Sequence, residues 1–568
     1  MNHKFVSLFF FVNLLLTSCN KIESPKADLI LINGDFITLE DSLQNARALA
    51  IKADTILAIG SLEELKSFIG PNTDTLDLQG NIAYPGFIDA HSHFLGIGET
   101  KKILWLGKAK SWNEIVLMVG EAVKNTPKGT WILGRGWHQE KWQFQTGKTV
   151  EGFPVHDSLS ALSPEHPVLL EHASGHASFA NLEAMRRAGI QRETPNPEGG
   201  MILRDEKGLP TGFFQETAAE LLESAYRATR LQMTEEEKEK EFEELVQLAT
   251  EECLSKGVTS FHDAGVGESV LKGYRKLSKE NRLDVRLWVM ISGRENNLEE
   301  KLKQYKTIDP TQKFLTIRGI KEYMDGALGS RGAWLLSPYS DLPDAIGQNV
   351  RSLDSIKYSA QLAKKYGFQL CTHAIGDRAN REALNIYEEV LNGDRSSRWR
   401  IEHAQHLSNE DIPRFAKLGV IASMQGIHCT SDAPFVLKRL AIARATEGAY
   451  AWKKLIKSGA VVTNGTDAPV EDVSPLACFY SSVTRKMSDG TPFFAEESMS
   501  RIEALQSYTI LAAYSGHEEH VKGSLKVGKY ADITILDTNL LTASEEALKS
   551  AKVLYTIVGG KIKYQRKN

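Results

Sequence analysis

Eight short apolar runs, each closed by polar or ionisable residues, recur through the middle of the chain and leave few folds open to it. They lie at 85–93, 258–264, 285–291, 316–325, 368–376, 399–406, 420–427 and 460–467. Runs of this length and β-prone composition, with helical stretches between them, read as the strands of a parallel α/β sheet. From the second run onward the starts fall 21 to 52 residues apart. A (β/α)8 TIM barrel needs about 250 residues, or roughly 31 per strand-helix unit, so the spacing fits. Only the first gap breaks the rhythm: more than 160 residues separate the first two starts, which places a large insertion at about 95–250, after strand 1. With the insertion set aside, roughly 270 residues remain between 86 and 515, close to the barrel expectation.

Short β-type segments flank the barrel on both sides. At 29–32, 36–38, 50–51 and 56–59 they are separated by turn residues, and 532–536 and 553–558 read the same way. These flanks, 27–84 and 521–568 around a barrel of 85–520, form either one small sheet domain or two. Ahead of them Lys4 precedes an apolar run at 5–16, broken only by Ser7 and Asn13. The run is too short to span a bilayer and suits the core of a signal peptide over 1–18. It ends in Leu16-Thr17-Ser18-Cys19, a lipobox pattern that makes Cys19 the expected lipidation site, with 19–26 as a tether. The expectation is an exported bacterial lipoprotein anchored in a membrane, on the periplasmic side or at the cell surface. Cys253, Cys371, Cys429 and Cys478 show no CxxC spacing and read as isolated thiols.

A formal charge of -4 from 68 basic and 72 acidic residues, with no basic stripe, sets nucleic acid aside as a partner. The 42% of hydrophobic residues supplies a core for a large soluble domain and excludes wholesale disorder. The acidic stretch 234–241 opens with Thr234 and reads as a capped, solvated helix face. The expected partners are a small-molecule substrate and the membrane, with a homodimer left open.

In a barrel, catalytic groups come from the C-terminal ends of several strands, so the residues closing each run come first. Run one closes with Asp89-Ala90-His91-Ser92-His93. Side chains alternate along a strand, so His91 and His93 point the same way and can grip one metal ion. Alone, an HxH pair is weak evidence. Run four adds Lys321, run five His373, run six His403 and run eight Asp467, and fifteen histidines scattered at random would not be expected to fall this way.

Together, Pro85-Gly86-Phe87-Ile88-Asp89-Ala90-His91-Ser92-His93, Lys321-Glu322-Tyr323-Met324-Asp325-Gly326, Thr372-His373-Ala374-Ile375-Gly376-Asp377, Glu402-His403-Ala404-Gln405 and Gly465-Thr466-Asp467-Ala468-Pro469 resemble the motif set of the metal-dependent amidohydrolase superfamily. More narrowly they resemble its amidohydrolase 3 branch, which includes N-substituted formamide deformylase. The stretch Gly326-Ala327-Leu328-Gly329-Ser330-Arg331-Gly332-Ala333 agrees. The resemblance spans about 27–565 and implies that the two flanks join as one composite β-sandwich.

It further implies two divalent metal ions, zinc first among them. His91, His93 and Asp467 would hold one and His373 and His403 the other, with Lys321 bridging them as an N-carboxylated lysine. Two close cations repel, which calls for an anionic bridge and a shared hydroxide. The alternative for Lys321 is an ammonium that faces substrate or pairs with an acid beside a single metal. The implied activity is hydrolysis of a C-N bond, not a peptide bond, in an amide-type small molecule. The metal-bridging hydroxide would attack, with Asp467 as the catalytic base that passes its proton to the leaving amine. His428, Arg331 and His176 are candidate substrate contacts, and the tryptophan-rich 131–142 either roofs the site or simply packs. Two alternatives stay open: the same metal site acting on a cyclic amide, lactone or phosphoester, and a lipid-anchored binding protein without catalysis.

Overall fold

In the computed structural model the described residues are 25–40, 46–144, 147–231, 233–308 and 313–567. The signal-peptide reading and the lipidation site Cys19 lie outside them. None of the described helices is long and apolar enough to cross a membrane.

All eight runs become barrel strands, at Phe87–Ser92, Val258–Val266, Arg286–Ser292, Leu315–Tyr323, Gln369–Ala374, Arg400–His403, Ile421–Gln425 and Val462–Gly465. They pair in chain order and in parallel. The fold class is the one expected, a TIM barrel with added elements. The strands are buried on both faces along most of their length, as a barrel wall packed between helices and its own interior requires, with Thr316 and Arg318 of strand four half-buried. Strand eight returns to strand one through loop bonds: Asp467 N–H donates to His91 O at 2.8 Å and His93 N–H to Ala468 O at 2.7 Å. Asp89, fully buried, accepts from Ser92 Oγ at 2.9 Å and from the Thr466 amide at 3.1 Å. Closure of the barrel and placement of Asp467 therefore depend on the same few bonds.

The insertion folds as a unit with its own six-stranded sheet, ordered Gly200–Arg204, Pro210–Glu216, Ala177–Ala180, Val168–His172, Ile132–Trp137 and Leu104–Trp105. Alternation along its strands sends Phe213 into a cluster with Trp112, Trp137 and Phe179, and Phe214 into a second cluster with Trp131, Met185 and Leu222. The tryptophans of 131–142 thus pack the insertion. Helix Glu235–Ser255 follows, opened by a Thr234–Glu237 capping box, and returns the chain to strand two.

The flanks join as one sandwich. One sheet is all N-terminal, with Thr55–Gly60, Ala48–Lys52, Leu29–Ile32 and Asp74–Asp77. The other pairs Ile82–Pro85 antiparallel with Ile533–Leu536 and continues through Val553–Val558 and Lys561–Gln565. Leu31, Leu49, Ile51, Ile533, Ile535 and Ile557 fill the space between them. Cys253, Cys371, Cys429 and Cys478 are buried and unpaired.

One buried ion pair ties sandwich to barrel. Arg286, at the start of strand three, donates to both oxygens of Asp532 at 2.7 and 3.0 Å, and Asp532 also accepts from the Gly559 amide at 2.8 Å. The guanidinium lies 4.0 Å from the Tyr530 ring centroid. Removing one partner leaves an uncompensated buried charge, which costs about 3–5 kcal/mol. Asp532→Ala is expected to lose that much in urea unfolding at neutral pH, and a loss below about 1 kcal/mol would contradict the role given to the pair.

Candidate metal centre

The polar ends of strands one, four, five, six and eight meet at one mouth of the barrel. His91, Lys321, His373, His403 and Asp467 are all buried there, and His93 starts the next helix. The ring centroids of His91 and His403 are 4.7 Å apart and those of His373 and His403 4.4 Å. Backbone strain accompanies this convergence: His403, Ala404 and Asp467 take φ of 74°, 44° and 55°. Left-handed backbone at non-glycine residues costs of order 1–3 kcal/mol and persists where the surroundings enforce it.

Hydrogen-bond partners settle which imidazole nitrogen faces the mouth. His91 Nδ1 pairs with Glu402 Oε2, and Glu402 is gripped by Arg400 Nε at 2.7 Å and Nη2 at 2.9 Å. Burial opposes charge on Glu402, yet Arg400 and His91 hold its carboxyl well below the ordinary range. An ionised carboxylate only accepts, so the proton sits on His91 Nδ1 and Nε2 keeps its lone pair. His93 Nδ1 likewise faces Ala264 O at 3.0 Å. His403 Nδ1 faces Gln425 Oε1 at 2.8 Å, while the Gln425 amide nitrogen donates to Ser423 O at 3.1 Å. Three histidines therefore present Nε2 lone pairs.

Asp467 Oδ1 stands opposite, 3.2 Å from His93 Nε2 and 3.7 Å from His91 Nε2, buried and without an aligned donor. Lone pairs aimed at an unsatisfied carboxylate oxygen suit a divalent cation. Among the described residues two groups bring their donor atoms within 4.8 Å of one another: His91, His93 and Asp467, and His403, His428 and Asp467. His428, not His373, shares the second group with His403. Its Nε2 is buried without a partner, and its Nδ1 lies 3.2 Å from Gln405 Nε2.

Burial disfavours charge throughout. It pushes His91 down to about 4 and holds His373 and His403 well below the ordinary imidazole value. Lys321 is lowered to about 8, mainly by burial, and its Nζ lies 3.1 Å from His91 Nε2.

A cavity opens over these groups, lined by His373, His403, His428 and Asp467 and, from the insertion, His138 and His176. At its rim Lys141 Nζ is 3.4 Å from Glu471 Oε1, and Asp432 accepts from Tyr450 OH at 2.7 Å. Arg331 is not brought to the cavity. Its Nη2 donates to Asp341 at 3.2 Å, in a left-handed turn with φ of 63°, and its neighbours Leu328 and Gly329 line the space instead. Sequence reading gave no role to Glu402, Asp325, Gln425 or Glu216. Asp325 accepts the Ile375, Gly376 and Trp334 amides at 2.8–2.9 Å and is raised by burial to about 7. Glu402 and Asp325 adjoin motif residues, whereas Glu216 had only the weak signal of an acid closing an apolar insertion run.

The profile of the Amidohydrolase family matches residues 74–564. The chain is 34% identical to Protein LONG AFTER FAR-RED 3 of Arabidopsis thaliana over 95% of this chain and 92% of that one. It is 26% identical to the N-substituted formamide deformylase of Arthrobacter pascens, over 95% and 98% of the two. A crystal structure of an uncharacterized metal-dependent hydrolase from Pyrococcus horikoshii OT3 superposes with a TM-score of 0.72 at 26% identity, covering 91% of this chain and 99% of that one. The chain belongs to the Amidohydrolase family of metal-dependent hydrolases.

Proposed function

We propose that the protein hydrolyses a C-N bond of an amide-type small molecule. One ion would be held by His91, His93 and Asp467 and a second by His373 and His403, with Lys321 between them. The observation that carries this reading is the set of Nε2 lone pairs facing the unsatisfied oxygen of Asp467. Lys321 supports the bridging role. It is buried, no carboxylate oxygen lies within 4.0 Å of its Nζ among the described residues, and burial favours the neutral amine that carbon dioxide needs. A second reading follows from the close group His403, His428 and Asp467, in which His428 takes the place of His373.

Bound divalent ions, zinc first among them, would lower the pKa of water towards about 7 and polarise the scissile carbonyl. Asp467 then accepts the proton of the attacking water and returns it to the leaving nitrogen. With their Nδ1 protons held by Glu402 and Ala264 O, His91 and His93 would offer Nε2 to an ion. The rim pair Lys141 and Glu471, with Asp432, offers polar contacts to the remainder of the substrate.

The likeness to an N-substituted formamide deformylase makes N-substituted formamides the first compounds to try. Metal-replete protein is expected to turn over at least one amide in a panel of formamides, longer acyl amides, a cyclic amide, a lactone and a phosphoester. Full metal with turnover of none would contradict the reading, and turnover of the lactone or phosphoester alone would move it to another bond. Asp467→Asn is expected to lower kcat by a factor of roughly 100 to 10,000, the usual worth of a positioned base, with metal content measured alongside. A variant with full metal and near wild-type turnover would contradict the assignment.

The lipobox pattern supports an exported, membrane-anchored form, acylated at Cys19. Two or three acyl chains hold a protein stably where one does not. Cys19→Ala is expected to leave the membrane fraction. Recovery there equal to wild type would contradict the anchor.

A further inference from the structure

The insertion delivers one ionisable pair to the cavity that the reaction as described does not use. His176 immediately precedes strand Ala177–Ala180, and Glu216 ends the neighbouring strand Pro210–Glu216. The two are joined twice, by Glu216 N–H to His176 O at 2.9 Å and by His176 Nδ1 to Glu216 Oε2 at 2.9 Å. With Nδ1 committed, the remaining polar atom of His176 is Nε2. The residue lines the cavity, and its ring centroid lies 4.9 Å from that of His373.

Glu216 is held in an unusual way. Its backbone is left-handed, with φ of 51°, and its Oε1 is buried with no hydrogen-bond partner among the described residues. The carboxylate sits in a slot made by two glycines of the loop after strand four: a methyl group on either Gly326 or Gly332 would overlap Oε1. Beside it Gln215 Nε2 donates to Ser330 O of the same loop at 2.8 Å. A strained backbone and an unsatisfied buried oxygen are costly, and both occur where the pair meets the barrel. The glycine-rich stretch 326–333 thus has a physical reason for two of its glycines: it receives the insertion's acid.

Resting on the amide reading above, we propose that Glu216 and His176 work as one unit. His176 is a catalytic residue whose Nε2 hydrogen-bonds the amide group undergoing cleavage, and Glu216, seated in the glycine slot, is the positioning residue that aims it. The unit makes the insertion part of the reacting site as well as its cover.

The test uses an amide that the wild type turns over, with metal content measured for every variant. His176→Gln and Glu216→Gln are each expected to lower kcat by roughly 100- to 1,000-fold, the range for loss of one preorganised hydrogen bond in a site. KM should stay within about threefold and metal content should stay full. Because the residues act as a unit, the double variant should be no worse than the poorer single variant by more than about threefold. Gly332→Ala, which alters neither side chain of the pair, should lower kcat in the same direction. Near wild-type turnover in His176→Gln, multiplying losses in the double variant, or metal loss that accounts for the decline would each overturn the proposal. Should Glu216→Gln fail to fold, His176→Gln decides alone, since its side chain borders the cavity. A wild type that cleaves no amide removes the amide reading and this proposal together. A wild type that does so while His176→Gln is undiminished removes only this one.

Discussion

Gathering imidazoles, an amine and a carboxylate at one end of a closed sheet is costly, because every polar atom there must find a partner away from water. The structure meets that demand with a second layer of buried acceptors. Arg400 fixes Glu402, which fixes the His91 proton; Asp89 ties strand one to the strand-eight loop; Asp325 gathers three amides behind His373; and Gln425 orients His403. These acceptors come from the barrel strands themselves or from the turn just past one of them. The layer works only if all eight strands keep their register, so barrel closure and site geometry form one problem with one solution. What it leaves open is a small set of Nε2 lone pairs and the Oδ1 of Asp467, atoms that a divalent cation can satisfy.

The insertion answers a different need. A barrel mouth alone is open to water, and the strand-one loop has grown into a sheet with hydrophobic clusters on both faces. Because it carries its own apolar clusters, it can present polar groups to the cavity without weakening the barrel. His138, stacked 5.1 Å from Phe435, and His176 reach the cavity from that side, beside residues of the barrel loops.

Much of this was legible in the residue order. Period-two alternation placed His91 and His93 on one side of a strand, and the strand rhythm placed Lys321, His373, His403 and Asp467 at a common end. Those signals are local, or depend on spacing alone. The residues that escaped act across long separations: Glu402 meets His91 across 311 positions and Asp89 meets Thr466 across 377, and no periodicity reports such pairs. Arg331 shows the converse. Its place in a glycine-rich motif suggested a substrate contact, but its guanidinium is taken by Asp341, ten residues further along the same loop. The grouping of His428 with His403 depends on the strained backbone at His403 and on the helix that begins at Gly426, neither of which the motif spacing encodes.

The central claim is that this mouth is built to hold two divalent ions, with Lys321 between them. The most direct measurement is diffraction from zinc-loaded crystals on both sides of the zinc absorption edge. The account predicts two anomalous peaks, one at His91, His93 and Asp467 and one at His373 and His403, with added density on Lys321 Nζ. A single peak among His403, His428 and Asp467, with Lys321 unmodified, would contradict it.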